Sequence, residues 1–239
     1  GAILPITIAG GLLFGLLNGL LVTKIKLQPF ITTLATMSIA RGLAYIICQV
    51  KPVRIANESL NAVGSLQVLT VPLPVLILVV LIAVFGILLA KTEFGRNVYL
   101  VGGNPEAARL AGINVNKYKY VATCVGSMIA GLGGLYYVMD YACGVWSNDA
   151  FGDRGWLAIA LVIFTIWRPN VGIISSFLFG GLYILYIFIP SGMNFAIKEL
   201  YKMLPYIVTI IVLVITSMRN KRENQPPASL GLAYFREER

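Results

Sequence analysis

Apolar residues in this chain fall into long runs separated by polar breaks, and the length of those runs is the first structural signal. A membrane-crossing helix needs about 20 predominantly apolar residues. Seven segments are candidates: Ala2–Thr23, Pro29–Cys48, Val71–Ala90, Tyr120–Met139, Trp156–Trp167, Val171–Ile189 and Met203–Met218. Trp156–Trp167 is short for a crossing and reads as a tilted, broken or re-entrant piece. The polar breaks include Lys51–Thr70, the island Lys91–Lys119, and a loop carrying Asp140, Asp149, Asp153 and Arg154. The pattern predicts an all-α polytopic membrane helix bundle of about seven spans. Residues 1–218 would form the transmembrane domain, with a cytoplasmic loop at 91–119, and residues 219–239 a charged cytoplasmic tail.

The island has local structure written into it. Gly102-Gly103-Asn104-Pro105 reads as turn chemistry, with Asn104 as cap and Pro105 at the first helical position. Glu106 then stands in the first turn, where the helix dipole favours an anion. Ala107, Ala108, Leu110 and Ala111 are good helix formers and Gly112 is a natural stop. A capped helix of roughly two turns at the membrane surface is expected over Pro105–Gly112.

Two spans carry small residues at helix-packing spacing. Gly11, Gly15 and Gly19 repeat every four residues in the first, and Gly126, Gly131, Gly133 and Gly134 offer a second face in the fourth. A dinucleotide loop is excluded there, because the spacing fails GxGxxG and no strand precedes it. Asn18 is the most polar side chain of the first span. It reads either as an interhelical hydrogen bond or as part of a substrate path, for which Thr32, Thr33, Thr36 and Ser38 of the second span also qualify. Arg41 lies near the far end of that span, where snorkelling to the interface would accommodate it.

Composition narrows the chemistry. The chain is 58% hydrophobic and 12% charged, too apolar for an ordinary soluble domain. It has no histidine, so a His-based metal site or general base is excluded, and Cys48, Cys124 and Cys143 lack metal-binding spacing. No metal or cofactor is expected. The net charge of +9 follows the loops and gives no case for nucleic acid. With Lys91–Lys119 inside, thirteen of the 19 basic residues fall on the cytoplasmic side, five on the other, and Arg41 within a span. The positive-inside rule therefore sets the C-terminus in the cytoplasm.

The triplet Glu106-Ala107-Ala108 with Gly112 resembles the EAA-type cytoplasmic loop of ABC importer permeases. The wider string FGRNVYLVGGNPEAARLAGINV is similar to permeases of the ribose, galactose and related simple-sugar importers. The run FGDRGWLAIALVIFTIWRPNVG resembles the nucleoside-type branch, although Thr165 and Arg168 stand where that branch usually has glycine and asparagine, and the tail resembles those of simple-sugar and nucleoside-type permeases alike. The solute is thus open between a monosaccharide and a nucleoside. The resemblance implies an ATPase-coupling role for Gly102, Gly103, Asn104, Pro105, Glu106, Ala107, Ala108, Arg109 and Gly112, with Ala107 and Ala108 small to fit a partner's cleft. It implies as partners a cytoplasmic ABC ATPase that binds the ATP, an extracytoplasmic solute-binding protein, a second permease copy or homologue, and the lipid bilayer of the inner membrane. Family permeases carry further N-terminal spans, so this chain, opening on Gly1, reads as truncated. It lacks GxxxxGK[ST], as expected of a subunit with no nucleotide site of its own. The competing class, an ion-coupled secondary transporter, would call for acidic groups within the spans, and no Asp or Glu is central to any of them.

Overall fold

The computed structural model describes residues 3–55, 67–68, 71–147, 151–152, 154–165, 169–188 and 195–219. Asp149, Asp153, Trp167, Arg168 and residues 220–239 lie outside the described residues, as does most of Lys51–Thr70. The described residues divide into two units, those within 3–147 and those within 151–219.

The first unit is organised on α1 (Ile3–Thr23) and α6 (Val115–Tyr136). Their contact follows the glycine stripe. A Cβ on Gly11 would meet the Ser127 carbonyl at 2.8 Å, one on Gly15 the Cys124 Cα at 2.8 Å, and one on Gly19 the Tyr120 ring at 2.7 Å. From the other side, a Cβ on Gly131 would lie 3.3 Å from the Thr7 carbonyl. Numbers rise along α1 as they fall along α6, so the helices are antiparallel. Backbone-to-backbone approach of this kind replaces the hydrophobic effect, which cannot drive helices together in lipid. Gly126, Gly133 and Gly134 are corrections: Cβ atoms there would meet nothing within 4 Å. The close approach ends at Gly131, which already faces the second turn of α1.

Helix α2 (Pro29–Cys48) joins α1 through a polar contact, Thr36 Oγ1 donating to Asn18 Oδ1 at 2.8 Å. Other buried hydroxyls turn back onto their own helix, Thr32 onto the Gln28 carbonyl and, in the second unit, Ser175 onto Val171. Each such bond removes a polar group that an apolar surrounding would penalise. Helix α3 (Leu73–Lys91) is the most uniformly apolar element. At 1.5 Å per residue it is about 28 Å long, near the thickness of a bilayer's hydrocarbon core. It runs into α4 (Glu93–Gly103), bent by 77°, and then α5 (Pro105–Leu110) leads to α6. A π-helical turn over Tyr137–Tyr141 continues α6 and stacks the Tyr137 and Tyr141 rings 5.1 Å apart. Beyond it β4 (Val145–Trp146) pairs antiparallel with β1 (Val53–Arg54), and β2 (Gln67–Val68) pairs with β3 (Val71–Pro72).

The second unit contains α7 (Arg154–Phe164), α8 (Pro169–Ile184) with a 3-10 turn at Leu185–Phe188, and α9 (Phe195–Arg219). Phe164 meets Phe179 edge-on at 5.1 Å, and the Arg154 guanidinium lies 5.4 Å from the centre of the Tyr183 ring. Helix α9 begins eight residues before the expected Met203 and runs through Pro205, which is almost fully buried. Pro205 has no N–H to give, but its own carbonyl accepts from Thr209 Oγ1 at 2.8 Å.

Among the described residues three helices are long and apolar enough to cross a membrane, Ile3–Thr23, Pro29–Cys48 and Val115–Met139, and the bent α3–α4 pair makes up to four. The expected span at 156–167 corresponds to α7, which is 11 residues long, and that at 171–189 to α8, which is 16. Side chains such as Ile46, Ile47 and Phe177 are three-quarters exposed. So much outward apolar surface suits contact with lipid or with other helices, not with water.

Candidate functional site

The polar island folds as one small module, α4–α5 and the start of α6. Thr92 caps α4, accepting from the Gly95 N–H at 3.2 Å. Phe94, Asn97 and Val101 fall on one side of α4. The Phe94 ring lies 5.5 Å from the Tyr118 ring, Asn97 Nδ2 donates to the Tyr118 hydroxyl at 2.7 Å, and Val101 enters a buried cluster with Ala108 and Val115, flanked by Ile113 and Tyr118. The backbone passes so close at the α3–α4 bend that a Cβ on Gly95 would sit 2.2 Å from the Leu89 carbonyl oxygen.

Helix α5 is held at both ends. Asn104 Oδ1 accepts from the N–H groups of Glu106 and Ala107, both at 3.0 Å. At the other end Gly112 N–H donates to the Arg109 carbonyl at 3.0 Å and Ile113 N–H to the Ala108 carbonyl at 2.9 Å. Gly112 has φ +80°, a left-handed conformation that costs a side chain-bearing residue most. These paired bonds, with Ile113 packed back on the Ala108 cluster, form a Schellman stop. Asn114 then caps α6, accepting from Lys117 N–H at 3.1 Å. Removing the first cap by Asn104→Ala should lower the stability of α5 by about 1 kcal/mol. Faster hydrogen exchange at the Glu106 and Ala107 amides would register it.

Two expectations about this segment need correction. Gly102 and Gly103 are not a turn: they are the last residues of α4, with space around them, and the chain turns only at Asn104. Ala108 does not face outward. It is 3% exposed against Val101 and Val115, so its small size is required by the chain's own packing. The outward set is Glu106, Ala107, Arg109 and Leu110, and Leu110 is 91% exposed. Leu110 is not among the coupling residues that the resemblance implies, and in the sequence it reads only as a helix former. The signal was available, since position 110 is out of phase with Ala108.

Asn18 and Thr36 are bonded to each other between helices, whereas Thr33 is exposed and hydrogen-bonded to the carbonyls of Pro29 and Phe30 in its own helix. The interhelical reading of Asn18 is the one this geometry supports. Among the described residues no cluster of His, Cys, Asp or Glu is arranged to hold a metal ion.

Comparison with known proteins covers most of the chain. It is 45% identical over 118 residues to the L-arabinose transport system permease protein AraH of Escherichia coli, covering 49% of this chain and 36% of that protein. It is 30% identical over 218 residues to the ribose import permease protein RbsC of Haemophilus influenzae, covering 89% of this chain and 67% of that protein. The nucleoside ABC transporter permease protein NupC of Lactococcus lactis is 30% identical over 162 residues, 66% of this chain and 50% of its own. The chain thus aligns with about a third of the length of the arabinose permease and two thirds of that of the ribose permease. No solved structure matches it. Residues 2–213 match the family of branched-chain amino acid transport system permease components, and the chain belongs to that family.

Proposed function

We propose that this chain is the membrane-spanning part of an ABC importer permease that moves a monosaccharide inward across the cell membrane. Hydrolysis of ATP would occur on a separate subunit. The observation that carries the reading is the outward set Glu106, Ala107, Arg109 and Leu110 on a helix clamped at both ends, in a chain related to arabinose and ribose permeases. Force applied to α5 would pass through the Val101–Ala108–Val115 cluster into α4 and α6. Those helices continue into the bundle, so the module would move as a rigid body and open the path alternately to each side. A cytoplasmic ABC ATPase would supply the force, and an extracytoplasmic binding protein would deliver the sugar. A second permease copy or a homologue would complete the path.

Charge supports one orientation. The antiparallel packing of α1 and α6 puts Lys24, Lys26 and the Lys91–Lys119 module at one end of the helix pair, which agrees with the basic side being cytoplasmic. A single cysteine at Asn104 should be labelled only from the cytoplasmic side.

The test of function is uptake of labelled L-arabinose and D-ribose into proteoliposomes carrying the complete transport system. Uptake should require ATP inside and the ATPase subunit. Uptake that survives loss of the ATPase, but stops when ion gradients collapse, would establish the ion-coupled alternative and overturn this reading.

A further inference from the structure

The 77° bend between α3 and α4 leaves an open groove of about 650 Å³ that the transport reading does not use. Leu89 and Leu100 form its apolar walls, Lys91 and Arg96 supply two cations, and Tyr99 stands beside them. Lys91, Arg96 and Tyr99 are exposed, and among the described residues neither cation has an ion-pair partner. Glu93, also exposed, does not line the groove.

The position of the groove identifies its depth. Lys91 is the first charge after the apolar length of α3, so it marks where the hydrocarbon layer ends. Helix α4 turns away from the axis of α3 at that level, and Tyr99 has the amphipathic character favoured at a bilayer interface. Along α3, Val80, Val84 and Ile87 are all more than half exposed and recur at helical spacing, and the same stripe reaches Lys91 four residues on. An acyl chain lying against that stripe would bring its headgroup to Lys91 and Arg96.

We propose that this groove binds the headgroup of an anionic phospholipid, with the phosphate between Lys91 and Arg96 and the Tyr99 hydroxyl as a further donor. The charges select anionic over zwitterionic lipid, and the stripe on α3 selects a lipid over a soluble phosphate. The site would fix the height and tilt of α4, and through it the module that carries α5.

Native mass spectrometry of the full chain, released from nanodiscs of phosphatidylcholine containing a minority of phosphatidylglycerol, tests the assignment. Wild type should retain phosphatidylglycerol selectively, and Lys91→Gln and Arg96→Gln should each reduce that selectivity about fivefold. Lys91→Arg should keep it, and Lys24→Gln with Lys26→Gln, outside the groove, should leave it unchanged. Equal loss in the Lys24/Lys26 variant would mean diffuse attraction to positive charge and overturn the site. Displacement of the lipid by inorganic phosphate would make it a soluble-anion site instead. Unchanged lipid retention in the groove variants, with loss of ATPase co-purification, would make it a protein contact. Either result defeats the proposal.

Discussion

Gly95→Ala should destabilise the first unit by about 3 kcal/mol, the upper part of the range for overpacking a closely packed site. The added methyl would sit 2.2 Å from the Leu89 carbonyl oxygen and 2.5 Å from two further Leu89 backbone atoms. No side-chain rotation relieves a clash with backbone, so the bend between α3 and α4 has to open. Opening it pulls Phe94 and Asn97 off Tyr118 and weakens the base on which α5 stands. Gly102→Ala is the internal control, because a Cβ there meets nothing within 4 Å and the residue is helical. Alanine should stabilise α4 by about 0.5–1 kcal/mol at that position. Denaturation in a mild detergent, followed by the environment of Tyr118, should give opposite signs for the two variants. The same sign in both would mean that the bend is not set by close approach at Gly95.

What was legible in the sequence follows the range of the interaction that decides each feature. The caps at Asn104 and Gly112 are local, involving donors and acceptors within five residues, and both were readable from residue type and spacing. The stripe Gly11, Gly15, Gly19 was readable as a packing face, but its partner was not: the register against Tyr120, Cys124 and Ser127 depends on a helix more than 100 residues away. Helix α4 was lost to the pair Gly102-Gly103, whose weak helix propensity is outweighed by the packing of Phe94 and Val101 on α6. Phe94, Asn97 and Val101 recur at helical spacing, and that pattern was in the string. The early start of α9 was hidden by Lys198, Glu199 and Lys202, charged residues that end the apolar run at Met203 but do not stop a helix. At the candidate site the triplet located the helix correctly. It could not say which side of a short helix faces the chain, and that is where Ala108 and Leu110 exchanged roles.

The exchange changes how coupling should be tested. Ala108→Trp would force an indole into a cluster with Val101 and Val115 where the alanine is 3% exposed. Overpacking would disrupt the module itself, so loss of the ATPase in that variant would not identify a docking surface. Leu110 separates the two effects. At 91% exposure it contributes little to the fold, and Leu110→Ala should alter the chain's stability by no more than about 0.5 kcal/mol. If the side chain is buried in a partner's cleft, its truncation should weaken association by about 2 kcal/mol, roughly thirtyfold in affinity. Leu110→Asp should weaken it further, because a carboxylate would be desolvated without a partner. Neighbouring Glu106 and Arg109, both exposed, would stay in water at the rim of such a cleft, where charge removal should change affinity less than loss of the leucine. The measurement is recovery of the ATPase subunit with purified wild-type, Leu110→Ala and Leu110→Asp permease, alongside ATP-driven uptake. Recovery and uptake should fall together in that order while the permease inserts and unfolds normally. Wild-type recovery and uptake in both variants would show that α5 only connects α4 to α6, and that force enters the permease elsewhere.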